Sequence, residues 1–293
     1  MQLSGLSLKK SGSFRIVLFI RGLFILALIC SSAFVEIYGQ GNLLILPRRV
    51  VFEGAVRSQE LTLANTGNDS SKYLISIVQM RMKDDGSFEA ITAPDSGQFF
   101  ADKYLRFYPR TVSLAPKKSQ IIKMQFVKGA KMDPGEYRSH IYFRAIPKAK
   151  PLGEKEITAD TTAVSAKLIP IFGITIPVII RLGEANTKVT LSDLAFEMVK
   201  DTLPKFRLTF NRTGNFSVYG DIIVKHISDQ GKETKVGSVK GIAVYTPNLV
   251  RRFQCTLDRI PGIDYKSGKL HVVFSTPVDT KVQKMAEGDL ILK

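Results

Sequence analysis

Along most of the chain, apolar residues recur at every second position, and the 3.6-residue period of helices is nearly absent. The clearest stretches are 59-QELTLAN-65, 73-YLISIVQMRM-82, 119-SQIIKMQFV-127, 139-SHIYFRAI-146, 206-FRLTFN-211, 218-VYGDIIVKHI-227 and 270-LHVVFS-275. Successive side chains of a strand point to opposite faces, so this alternation predicts strands with one face buried. Turn signals bound them: 66-TGNDSS-71, 84-DDG-86, 133-DPG-135, 213-TGN-215, 229-DQG-231 and 261-PG-262. Short strands at regular spacing, rich in β-branched and aromatic residues, predict an all-β chain of immunoglobulin-like sandwiches.

One such sandwich needs about 100 residues, and the chain has 293, so two are expected. The longest apolar run of the body, 168-LIPIFGITIPVII-180, closes with Arg181, and a fresh strand pattern opens at 188-KVTLSDLAF-196. The expected units are therefore 41–182 and 186–293. The polar, Pro-containing segment 147-PKAKPLGEKEITADTTA-163 reads as a long connection between two strands of the first unit.

The first 40 residues follow a different pattern. Lys9, Lys10, Arg15 and Arg21 precede the apolar run Leu23 to Ile29, which leads into the small residues Ser31, Ser32 and Ala33. This layout predicts a signal peptide, residues 1–40, cleaved between Ala33 and Gln40. The alternative is a retained membrane anchor, because Ile16 to Val35 approaches the length of a span. Arg21 weighs against it, since a charge at mid-membrane costs about 3 kcal/mol on insertion scales.

Chemistry-bearing residues are sparse. The chain has two cysteines. Cys30 falls in the expected leader and Cys255 is left unpaired, so neither a disulfide nor a Cys-based metal site is expected, and no cofactor. His140, His226 and His271 are far apart, each inside a strand pattern, and read as surface or hydrogen-bonded strand histidines. No phosphate loop, nucleophile elbow or metal-ligand spacing occurs, so an enzyme is not expected. The net charge is +16, but Lys and Arg are dispersed without interleaved aromatics, which argues against nucleic acid.

Several patterns in order resemble the PapD-like periplasmic chaperones of pilus assembly, in a divergent branch. They are 45-ILPRRVVFEG-54, 59-QELTLANTGN-68, 106-RFYPRTVSLAPKKSQIIKMQF-126, 134-PGEYRSHIYFRAIP-147 and 172-FGITIPVIIRLG-183. The second half matches more loosely, through 240-KGIAVYTPNLVRRFQCTL-257 and 287-EGDLILK-293.

The resemblance implies a non-enzymatic chaperone that is exported to the periplasm. It would bind unfinished pilus or fimbrial subunits by donor-strand complementation and hand them to an outer-membrane usher. In that mode an extended strand is added to an open sheet edge. Leu168, Pro170, Phe172 and Ile174 alternate along one face and are the expected donor residues, with Ile176 and Val178 in the protein's own core. An unpaired apolar edge also implies weak self-association.

Arg49, before Val50-Val51-Phe52, matches the family's arginine that anchors a subunit's terminal carboxylate; Arg48 alternates to the opposite face. Where most members carry a second anchor, a lysine on the last strand, this sequence has Pro177. Arg49 is thus left to act alone or with a base from elsewhere. Arg181 is expected in an interdomain ion pair, and Tyr137 in a tyrosine corner. The competing reading is a structural or adhesive cell-surface protein of two sandwiches.

Overall fold

A computed structural model describes residues 42–129, 132–147, 171–277 and 281–292. The expected leader, most of the 147–163 connection, and the donor residues Leu168 and Pro170 lie outside these. No helix among the described residues is long and apolar enough to cross a membrane.

Eleven strands form the first half: β1 (Leu43–Leu46), β2 (Val50–Phe52), β3 (Ser58–Asn65), β4 (Ser71–Val78), β5 (Met80–Met82), β6 (Phe88–Ala90), β7 (Leu105–Tyr108), β8 (Thr111–Leu114), β9 (Ser119–Phe126), β10 (Gly135–Ile146) and β11 (Gly173–Leu182). Seven follow: β12 (Lys188–Val199), β13 (Leu203–Thr213), β14 (Val218–Ile227), β15 (Glu233–Val244), β16 (Val250–Thr256), β17 (Lys269–Ser275) and β18 (Lys284–Ile291).

Two sandwiches result. The first faces a sheet of order β1-β3-β9-β7 with one of order β2-β11-β10-β4-β8. The second faces β12-β13-β16 with β15-β14-β17-β18. In the first, the opening strand divides between sheets at Pro47. Proline has no N–H for a ladder, and β2 continues on the opposite sheet, parallel to β11. This is the layout of an immunoglobulin-like sandwich.

Each sandwich closes on its own apolar centre. Phe52, Leu61, Leu63, Ile122, Met124, Ile141 and Phe143 fill the first, Phe206, Phe210, Ile222, Val224, Val272 and Phe274 the second. A third, smaller cluster joins them, with Met82, Ile179, Ala243 and Tyr245 buried together.

Local polar groups fix the turns. Asn65, the last residue of β3, is buried; its side-chain nitrogen donates to the carbonyls of Asp69, Leu114 and Ala115, and its oxygen accepts from Gly67 N. The Tyr137 hydroxyl donates to Asp133 O at 3.2 Å, a tyrosine corner.

The run 73–82, predicted as one strand, is two. At Gln79 the chain leaves the sheet, and β5 turns back on β6 as a separate hairpin. The hairpin packs toward the second sandwich: Asn248 Nδ2 donates to Met82 O at 2.9 Å and Arg252 N to Asp84 O at 2.6 Å. Leaving the sheet is favoured because Met82 gains a buried site in the joining cluster that a straight β4 would deny it.

Candidate functional site

β11 has two unlike edges. Against β10 it pairs over its whole length, from Gly173↔Arg144 to Leu182↔Gly135. On the other side β2 covers only Val178, Ile179 and Ile180. From Gly173 to Pro177 that edge meets no strand among the described residues. Ala145 N donates to Phe172 O at 2.9 Å, so the alternation of an antiparallel ladder turns the N–H groups of Gly173 and Thr175 to the open side.

Side chains change character along the strand. Phe172 is 39% exposed, beside Ile171 at 44%. Ile174 is half-buried against the first core, and Ile176 and Val178 lie within it. Gly173 is packed from the outer face by the Tyr142 ring, which a Cβ would overlap.

The open edge ends at a cationic cleft. The parallel register Val178↔Val50 sets Arg49 beside Pro177. Arg49 is half-buried: its guanidinium lies 4.7 Å from the Tyr219 ring centre and 5.7 Å from that of Tyr245. Nη2 donates to Ser217 Oγ at 3.3 Å, while Nε is buried with no hydrogen-bond partner among the described residues. Burial lowers its pKa. Arg48 is exposed.

Arg181 joins the sandwiches. Nε donates to Glu136 Oε2 at 3.1 Å and Nη2 to Ser217 O at 2.8 Å, with Glu53 Oε2 3.6 Å from Nη1. Glu136, on β10 and 2% exposed, also accepts from Ser217 N (2.9 Å), Ser217 Oγ (2.8 Å) and Thr246 Oγ1 (3.2 Å). Arg212, buried nearby, donates to the carbonyls of Asn248, Gly214 and Phe216.

Two further basic residues point into this region from β10. Arg138 is 2% exposed, and its guanidinium lies 4.6 Å from the Tyr245 ring centre. Its Nη2 donates to Thr246 O at 3.3 Å, but Nε and Nη1 have no partner among the described residues. His140, expected at the surface or hydrogen-bonded, is neither. It is buried with both ring nitrogens unpartnered among the described residues, packed edge-on against Phe88 of β6 at 5.3 Å. Burial first, then the charge of Arg138, pushes its pKa down to about 3, so the ring is neutral near pH 7.

No sequence family and no curated protein matches this chain. Three solved structures to which it is similar are the Class 5 fimbriae chaperone CfaA, the Salmonella enterica SafA pilin–SafB chaperone complex, and the CsuC–CsuE chaperone–tip adhesion subunit complex of Acinetobacter baumannii Csu pili. The first has 15% identity and a TM-score of 0.39, covering 86% of this chain and 99% of that one. The second has 13% and 0.39, covering 87% and 98%. The third has 10% and 0.41, covering 84% and 100%.

The remaining histidines and the cysteine differ: buried His226 keeps a partner at one ring nitrogen while its Nδ1 has none among the described residues. His226 Nε2 lies 3.0 Å from Ser267 O, and His271 Nδ1 2.6 Å from Asp289 Oδ1. Cys255 is half-buried against the second core, and burial pushes its thiol up to about 11, far from a reactive thiolate. The acidic turn Asp84-Asp85-Gly86 caps the β5–β6 hairpin, with Asp85 Oδ1 accepting from Ser87.

Proposed function

We propose that this protein is a non-enzymatic chaperone of fibre subunits, exported to the periplasm, that lends the open half of β11 to an incomplete partner sandwich. The observation supporting this is the edge itself: five residues of an apolar strand without a neighbouring strand among the described residues, ending at a half-buried arginine. β2 runs parallel to β11 and begins at Val50. A partner strand laid in the same direction on the open half therefore ends where β2 starts, with its terminal carboxylate at Arg49. Main-chain hydrogen bonds supply affinity, and the alternating side chains enter the partner's groove.

Leu168, Pro170, Phe172 and Ile174 are proposed as the donor side chains, Arg49 as the carboxylate anchor, and Arg181 as the interdomain tie. Units 41–182 and 186–293 act as the two arms of the cleft. Delivery to an outer-membrane usher completes the role. Between visits the open edge pairs weakly with that of a second copy.

Changing Phe172 to Ser tests the reading. The side chain is exposed, so thermal unfolding should stay nearly unchanged, since surface changes shift stability by only about 0.5 kcal/mol. Co-purification with a co-expressed fimbrial subunit should be lost. Retained capture would show that the strand is not donated, and would favour a structural or adhesive protein.

A further inference from the structure

The cleft holds more buried cation than anion. Arg49, Arg138 and Arg181 converge on it, and Arg212 lies close by, yet Glu136 is the one carboxylate buried among them in the described residues. Arg181 and Ser217 already take most of its capacity, and Arg212 is satisfied by carbonyls. Among the described residues four guanidinium nitrogens remain buried without a partner, Arg49 Nε, Arg138 Nε, Arg138 Nη1 and Arg251 Nε, three of them on Arg49 and Arg138. Leaving a buried charged donor unmatched is costly, so a group that pairs with these donors gains more here than at a solvated arginine.

The two arginines share one wall. Tyr245, itself buried, carries the Arg138 guanidinium at 4.6 Å and that of Arg49 at 5.7 Å from its ring centre. They come from strands on either side of β11, and the registers Arg138↔Ile179 and Val50↔Val178 set Arg49 beside Pro177 and Arg138 two residues further along. Pro177, whose partner on β10 is His140, has no N–H to offer. A strand end arriving along the open edge therefore finds its donors on guanidinium groups rather than on the backbone.

We propose that Arg138 is the second half of the anchor, so that Arg49 and Arg138 together bind the terminal carboxylate of the partner strand. This rests on the edge-donation reading above. Arg138 thus supplies from β10 the positive charge that Pro177 withholds from β11. The bound carboxylate also neutralises two like charges held against one ring, which makes its loss on amidation expensive for the partner.

The test uses a synthetic peptide copying the C-terminal strand of a fimbrial subunit, as the free acid and as the C-terminal amide. The wild-type protein should prefer the acid by at least about tenfold in Kd, as expected for a buried charge pair. Arg138→Leu should reduce that preference to about threefold or less, with a thermal midpoint at or above wild type, because an uncompensated buried charge has been removed. Arg49→Leu should do the same, and the double variant should lose little more, since the pair acts as a unit. If Arg138→Leu keeps the full preference while Arg49→Leu loses it, Arg49 anchors alone and the proposal falls. A collapse of the fold in Arg138→Leu also overturns it, by showing that the guanidinium serves its own domain. Equal binding of acid and amide to the wild type, or no binding of either, sinks the edge-donation reading instead.

Discussion

Replacing Glu136 by Gln is expected to cost about 3–5 kcal/mol of folding stability, the range for breaking a buried ion pair by removing one partner. The change is nearly isosteric, and it can keep most of the hydrogen bonds. Oε2 takes all three bonds from Arg181 and Ser217, and an amide oxygen there still accepts them. Oε1 faces only the Thr246 hydroxyl, which can accept from an amide N–H instead. What disappears is the buried negative charge beside Arg181, with Arg138 buried and Arg49 half-buried nearby. Urea unfolding of the two proteins measures the effect, with an unchanged slope marking a true stability loss. Adding Arg138→Leu to Glu136→Gln should recover part of it, because neighbouring charges are non-additive. A loss below about 1 kcal/mol, the range of exposed pairs, would mean that water screens the cleft.

The second large effect is acid sensitivity at His140. Its pKa in the folded protein, about 3, lies below the ordinary value of about 6.5. The unfolded chain therefore takes up the proton first as pH falls. Stability is full above pH ~6.5 and declines by about 1.4 kcal/mol per unit below it, levelling off near the folded value. By pH 4.5 the loss is on the order of 3 kcal/mol. Exposed pairs such as Lys225–Glu233 and Lys269–Asp289 also titrate at low pH, so the comparison is made with His140→Leu. That variant should match or exceed wild type at pH 7, having lost two unpartnered buried nitrogens, and should be flatter between pH 6.5 and 4.5. Parallel pH curves for the two proteins would show that the ring is solvated.

Much of the fold could be read from the alternation of residues, because most strands bury one face and expose the other. The strands β3, β9, β13, β14 and β17 lie where period two places them. Strands that follow another rule were missed or merged. β16 exposes Arg252, Gln254 and Thr256 and half-buries Phe253 and Cys255, an alternation too short to stand out after Arg251-Arg252. The 73–82 run is apolar across Gln79, so nothing local marks the point at which the chain leaves one sheet for the hairpin.

The cleft was only half legible for a related reason. Arg49 stands out by its place before an apolar triplet. Glu136, Arg138 and His140 alternate with Tyr137, Ser139 and Ile141, and a polar period-two face ordinarily means solvent. Here that face is buried, because the second sandwich and the β5–β6 hairpin cover it. Tyr245 and Ser217 sit more than 70 residues further along the chain, and only the packing of the two sandwiches brings them in. A polar residue at every second position of the strand was the available signal, and it fits a buried polar face as well as a wet one.

The central claim, that the open half of β11 receives a partner strand, is tested most directly by amide hydrogen exchange at Gly173 and Thr175. In the free protein their N–H groups point to the unpaired side and should exchange as fast as an exposed loop, while amides of Ile176 and Val178, within the core, are protected. When a co-expressed fimbrial subunit is bound, Gly173 and Thr175 should become protected to the level of the core strands. Fast exchange at both positions in the complex, or full protection of both in the free monomer, would contradict donation of this edge.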